Sequence, residues 1–310
     1  MTTKIVAIVP ATDAPATLDR CMSAIVSALE PPEDVRVIDD PAVQGPARAR
    51  NLGAEETSGE PLVFAFIDAD VEVHPDAFVR IRRAFDEDPD LVAVFGSYDD
   101  DPERHGLVSD FRNLLHHHVH QTGAGPAGTF WAGLGAIRRD GFLEIGGFDE
   151  ARFPHPSVED IELGMRIAAR GGRIELDPAL QGKHLKHWTL REMVRTDLFR
   201  RGIPWVRLVL ADGATPSGLN LAWRHRVSAV AALALVAALA ARRPKLAGPP
   251  LVLLLTLNGS FYGLVYRKRG LVAAVSAVPL HVLHHLTSVT AVPLALAAHL
   301  LDRHGSSHRA

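Results

Sequence analysis

The stretch Leu62-Val63-Phe64-Ala65-Phe66-Ile67-Asp68-Ala69-Asp70 decides the fold. Six consecutive apolar residues read as a strand buried on both faces, as a parallel sheet covered by helices requires. The two carboxylates, one residue apart, close that strand at its carboxyl end, where open α/β sheets bind their ligands. Carboxylate oxygens are hard donors, suited to Mg²⁺ or Mn²⁺ accompanying a diphosphate. An Asp-rich turn also fits these residues, since Asp bonds locally to its own backbone, so the neighbouring segments have to decide.

Working outward, residues 5–9 and 35–38 are apolar strands, and residues 17–29 and 47–56 have helical spacing. Beyond the acidic pair, 76–85 reads as a helix and 91–95 as a strand. Strand–helix alternation at this spacing predicts an α/β fold whose mostly parallel sheet carries helices on both faces. No GxGxxG follows the first strand and no GxxxxGK[ST] occurs, which argues against a dinucleotide fold and a P-loop. From about residue 105 the character changes. Residues 107–121 look helical, 129–137 are Gly-rich and aromatic, and Gly146-Gly147-Phe148-Asp149-Glu150 is a turn. Ser157 and Asp160 have capping-box spacing, which predicts a helix opened by Ser157 and ended by Gly171-Gly172. The first turn of that helix would favour an ionised Asp160 through the macrodipole. Residues 173–176 form a further strand before 183–188.

Composition divides the 310-residue chain in two. After Asp212 the only acidic residue is Asp302, against ten Lys and Arg, a charge of +9. With −3 overall, residues 1–212 carry −12. A basic segment among apolar stretches suits an anionic inner membrane leaflet, and the acidic front part argues against a nucleic-acid partner. Cys21 is the only cysteine, so no internal disulfide forms and a reducing compartment fits. Residues 227–241, 246–266 and 271–301 contain no Asp, Glu, Lys or Arg, and a spanning helix needs about 20 apolar residues. Two or three membrane helices are expected, at about 226–243, 246–266 and 271–301, the last broken by Pro279 and Pro293. A buried helical hairpin is the soluble alternative. Basic clusters flank every segment, so the positive-inside rule gives no clean orientation. The expected domains are 1–211 and 212–310, with an interfacial segment at about 189–211. Residues 1–10 lack the apolar core of a signal peptide, so the expected location is the cell membrane with the front domain cytoplasmic.

Several spaced elements together resemble family 2 of the glycosyltransferases. They are Val9-Pro10-Ala11, Ile38-Asp39-Asp40, Gly45-Pro46-Ala47-Arg48-Ala49-Arg50-Asn51-Leu52-Gly53, Asp68-Ala69-Asp70, Arg138-Arg139, Gly146-Gly147-Phe148-Asp149-Glu150 and Glu159-Asp160. The resemblance covers roughly residues 4–205 and implies a GT-A fold. It also implies transfer of a sugar from a nucleotide-diphosphate donor to a hydroxyl or phosphate acceptor, usually with inversion. By that resemblance Pro10 and Asp39 hold the nucleoside, Arg50 lies beside the nucleotide, Asp68 faces it, and Asp70 binds Mg²⁺ or Mn²⁺. Asp160 is the implied base and Glu159 its neighbour on acceptor or sugar. Inversion needs a base opposite the leaving diphosphate, and a divalent cation stabilises the charge that develops there.

Trp131, beside Gly133, presents an indole able to stack on a sugar face or to pack in the core. His184 falls where related enzymes place a late histidine near the metal. His116 and His120 are spaced i, i+4, which suits zinc, but no partner Cys or Glu has matching spacing. The family's usual Asn-Glu after the first strand is Asp13-Ala14 here, and the stretch from Asp40 to Gly45 is short. Processive relatives carry Gln-x-x-Arg-Trp. This chain has Arg200-Arg201-Gly202-Ile203-Pro204-Trp205, which argues against long-chain synthesis. The leading expectation is an inverting, metal-dependent transferase acting on a lipid-linked or membrane-proximal hydroxyl. The alternatives are transfer to a polyprenyl phosphate and a nonenzymatic membrane scaffold with a nucleotide-sugar fold.

Overall fold

The computed structural model describes residues 3–57, 62–213 and 223–307. The chain forms two compact units, Met1–Arg104 with His116–His187, and His105–Leu115 with Trp188–Ala310.

The first unit is built on an eight-stranded sheet: β1 (Ile5–Pro10), β2 (Asp34–Ile38), β3 (Val63–Ile67), β4 (Val71–Val73), β5 (Leu91–Tyr98), β6 (Gly125–Pro126), β7 (Leu134–Arg138) and β8 (Arg173–His184). The order is β2-β1-β3-β7-β5-β8-β4, with β6 pairing β8. β1, β2, β3, β5 and β8 run one way, and β4, β6 and β7 run against them. The sheet is thus mostly parallel in strand direction but mixed, because β7 is inserted antiparallel between β3 and β5.

β3 is buried at all five positions. Val63, Ala65 and Ile67 join a core with Cys21 and Ile25 of α1 (Leu18–Val26) and Phe78, Ile81 and Phe85 of α3 (Ala77–Glu87). Phe64 and Phe66 meet Phe142 at 5.6 and 5.4 Å, and Phe66 meets Phe148 at 5.2 Å. Alternating side chains thus satisfy opposite faces of the sheet, and truncating either Phe to Ala costs about 3–5 kcal/mol.

Other elements depart from the sequence expectation. β4, β6 and the short helix α5 (Arg139–Ile145) give no apolar periodicity of their own. β8 runs on to His184 rather than ending near residue 176, with register shifts against β5. The Ser157 capping box does not form. Helix α6 spans Glu159–Ala169 with Val158 as its N-cap, and the Ser157 N–H donates to Glu159 instead. Gly171, at φ +81°, follows the helix end as expected.

The second unit holds the start of α4 (Leu107–Thr122), α7 (Leu190–Arg195), a π-helical stretch (Thr196–Gly202), α8 (Ile203–Asp212), α9 (Trp223–Ala240), α10 (Pro244–Leu257) and α11 (Gly259–Ser307). Thr189 and Glu192 form a capping box that opens α7. The uncharged run 246–266 is not one helix, because the chain breaks at Asn258. That leaves α10 at 14 residues, too short to span. α11 continues through Pro279 and Pro293 and bends at Gly270, whose φ is +80°. Two helical stretches, Trp223–Ala240 and Gly259–Leu301, are long and apolar enough to cross a bilayer, and 22% of the most apolar window of each is buried. Within this unit Arg112 Nη2 lies 2.6 Å from Asp197 Oδ1, and His284 Nδ1 bonds Asp197 Oδ2 at 2.8 Å. Residues 214–222, just past the expected boundary at 211/212, lie outside the described residues.

Candidate active site

Every expected site residue lies in the first unit. Pro10 ends β1, in register with Ile38 of β2, and the exposed Asp39 follows directly. β3 lies on the other side of β1 and ends at Ile67, so Asp68 opens from the same edge of the sheet. This is where a parallel sheet presents its loops to a ligand.

Arg50 connects the two acidic pairs. It is buried on α2 (Gly45–Glu55), its Nη2 donates to Asp68 Oδ1 at 2.7 Å, and its Nη1 donates to Glu159 Oε1 at 3.0 Å. Its guanidinium lies 5.3 Å from the Phe148 ring centroid. The next residue, Asn51, donates to the Phe148 carbonyl at 2.9 Å and accepts from the Phe148 N–H at 2.9 Å. Arg50 therefore draws the carboxylates together, while Asn51 clamps the turn that leads to α6. Glu159 is buried, with one oxygen on Arg50 and the other on the Ser157 N–H. The expected acceptor or sugar contact is thus a partner of Arg50, because a buried carboxylate needs a cation and hydrogen bonds to offset lost hydration.

Asp70 has a different neighbour. Its carbonyl accepts from the Leu185 N–H at 2.9 Å, and β4 pairs Val71 with His184. This pairing brings His184 Nε2 to 3.6 Å from Asp70 Oδ2. Burial pushes the Asp70 carboxyl up, but His184 and Lys186 outweigh it and hold it below the ordinary value. His184 is itself buried and stacks on Tyr98, with centroids 4.0 Å apart and planes 15° apart.

Asp160 is shifted the opposite way. Loss of water and the adjacent Glu159 push its carboxyl up to about 7, against the pull of Arg50. The helix macrodipole favours the ionised form of this group, and burial outweighs it. Its oxygens accept from the Ile161 N–H at 2.8 Å and the Ala132 N–H at 3.2 Å.

Trp131-Ala132-Gly133 ties the two sides together. Ala132 donates to Asp160, and the Gly133 carbonyl accepts from the Asp68 N–H at 3.0 Å. The half-buried Trp131 folds over Gly133, where an added Cβ would lie 2.7 Å from the indole Nε1. Trp131 also meets Tyr98, His116 and His120 at 4.9, 4.6 and 5.4 Å. His116 and His120 are thus part of an aromatic cluster. Tyr98 and Lys186 were absent from the expected site. Tyr98's only sequence signal was its place just past an apolar strand.

Asp70 and His184 fit a divalent ion. Two ligands each about 2.1 Å from one ion are at most about 4.2 Å apart, and these stand 3.6 Å apart. Among the described residues no cluster of three or more His, Cys, Asp or Glu could hold a metal ion. Two protein ligands suit Mg²⁺-like ions, which keep waters and take substrate phosphates.

Residues 16–146 match the family described as Glycosyl transferase family 2. Over that span the chain is similar to the family 2 glycosyltransferases. The match includes Asp39, Arg50, Asp68, Asp70 and Trp131, whereas Pro10, Glu159, Asp160 and His184 lie outside it. No curated protein matches the chain. Among solved structures, the mannosyltransferase PcManGT from Pyrobaculum calidifontis, in complex with GDP-Man and Mn²⁺, is similar at 16% identity and a TM-score of 0.52. That similarity covers 100% of this chain and 81% of the other, and shows a GT-A fold. GalNAc-T7 with UDP, GalNAc and Mn²⁺ aligns at 15% identity and a TM-score of 0.46, over 67% of this chain and 48% of its own.

Proposed function

We propose that the family 2 domain moves a sugar from a nucleotide-diphosphate donor to the hydroxyl of a lipid-linked or membrane-proximal acceptor, with inversion and with Mg²⁺ or Mn²⁺. The observation that carries this reading is the Arg50 bridge, which holds the Asp68 side and the Glu159 side of one site within hydrogen-bond reach of a single guanidinium. Pro10 and Asp39, at the ends of adjacent strands, hold the nucleoside. Asp70 and His184 would hold the divalent ion, which supplies positive charge to the leaving diphosphate. The GDP-Man and Mn²⁺ of the mannosyltransferase are in keeping with that pairing.

Asp160 takes the acceptor proton. A base works best with its pKa close to the operating pH, and a carboxyl pushed up to about 7 meets that condition. The Ala132 N–H keeps one Asp160 oxygen fixed as the proton arrives. Trp131 borders the same site and offers its ring to the sugar or acceptor. The two helices long and apolar enough to span a bilayer tether the chain to the cell membrane, with the transferase domain in the cytoplasm.

The test uses full-length protein in detergent, titrated calorimetrically with nucleotide sugars with and without Mn²⁺, followed by NMR assignment of the product anomer. Donor binding that needs the metal and product of inverted configuration are expected. Absence of binding to every nucleotide sugar would favour the scaffold alternative. Full turnover of Asp160→Asn on a polyprenyl phosphate would favour that acceptor, whose nucleophile is already an anion.

A further inference from the structure

His184 is held by more than its strand. The Tyr98 ring lies on the imidazole at 4.0 Å and 15°, so rotating the histidine about its ring bond would drive it into the phenol. Tyr98 is held in turn from α4. His116 meets its ring at 4.4 Å, and His117 Nδ1 bonds its carbonyl oxygen at 2.8 Å. A carbonyl only accepts, so His117 carries its proton on Nδ1. Trp131 reaches the same Tyr98 ring edge-on at 4.9 Å. The shared β5–β8 register, with Tyr98 opposite Gly182, sets the phenol two residues from His184 along the neighbouring strand.

We propose that Tyr98 is a positioning residue that fixes the His184 imidazole with Nε2 toward Asp70, and so sets the affinity of the site for a divalent cation. This rests on the metal-dependent reading above. Ordering a flexible imidazole on metal binding costs conformational entropy, and a ring locked in advance avoids that cost. Partners that orient a ligating histidine typically account for about 10- to 100-fold in metal affinity.

The experiment measures Mn²⁺ binding to full-length protein in detergent by electron paramagnetic resonance of the free ion, with GDP and separately UDP as phosphate probes. Tyr98→Leu removes the flat face, Tyr98→Phe keeps it, and His184→Ala is the reference for loss of the ligand. Tyr98→Leu is expected to weaken Mn²⁺ binding about 10- to 100-fold, and Tyr98→Phe to stay within about threefold of the parent. Saturating Mn²⁺ should restore Tyr98→Leu turnover, a rescue that a general packing defect does not give. Tyr98→Met, of similar length but without a flat ring, decides the matter if the leucine variant does not fold. A folded Tyr98→Leu or Tyr98→Met protein that binds Mn²⁺ as tightly as the parent overturns the positioning role. If His184→Ala leaves Mn²⁺ binding unchanged, the metal assignment itself fails, and the two failures are read from different variants.

Discussion

Asp70 and Asp160 are the same side chain in two settings of one domain, and their acidities are driven apart. Asp70 has His184 and Lys186 close by, and its carboxyl is held below the ordinary value despite burial. Asp160 has Glu159 as its neighbour and loses water, and its carboxyl is pushed up to about 7. A carboxylate that stays ionised serves as a cation ligand, and one that titrates near neutrality serves as a proton acceptor. Burial raises both carboxyls, and the neighbouring charges then drive them apart, which suits the two roles proposed for them.

The largest effects should separate the two carboxylates. Asp160→Asn is expected to lower turnover about 100- to 10,000-fold while leaving donor binding intact. Asp70→Ala should abolish the metal dependence of donor binding, with a loss of several kcal/mol of transition-state stabilisation. Calorimetry beside a steady-state assay distinguishes these outcomes, and equal loss of donor binding in both would erase the comparison. Arg50→Ala leaves Glu159 buried without its cation, and thermal unfolding should show a loss of about 3–5 kcal/mol. Gly133→Ala puts a methyl into the Trp131 indole and should cost about 1–3 kcal/mol, read by chemical denaturation, with the shift visible in Trp fluorescence.

The smallest effects are those of pH. The parent kcat/KM should rise through about pH 7 as Asp160 ionises, and the Asn variant should lack that limb. Between the ordinary carboxyl value and about 7, the folded chain holds a proton that the unfolded chain has released. This group therefore makes stability fall as pH rises through that window. Asp160→Asn should accordingly melt above the parent at pH 7.5, with a smaller gap at pH 4.5. A gap that does not change with pH would show that Asp160 has an ordinary acidity.

Much of this domain was legible in the sequence because burial writes periodicity. The apolar run at 62–67 became the fully buried β3, and Leu18, Met22 and Ile25 gave away the inner face of α1. What was not legible depends on partners far along the chain. β4 has three residues and owes its pairing to β8, whose apolar pattern is broken by Asp177-Pro178 and Gln181-Gly182. Ser157 matched a local capping pattern, but the Arg50 contact turns Glu159 inward and Val158 becomes the cap. The acidic pairs themselves could be read locally. Their bridge, between residues 109 positions apart, could not. The acidity of Asp160 is hidden from the sequence for the same reason, since a helix dipole is local and burial is a property of the whole fold.

Residues 132–133 give a single peptide segment custody of the distance between the Asp68 side and the Asp160 side, through one N–H and one carbonyl. Such a built-in gauge would resist drift. A change that moved the Ala132–Gly133 backbone would therefore shift both sides at once, whereas the Trp131 ring beside it can vary without breaking either hydrogen bond.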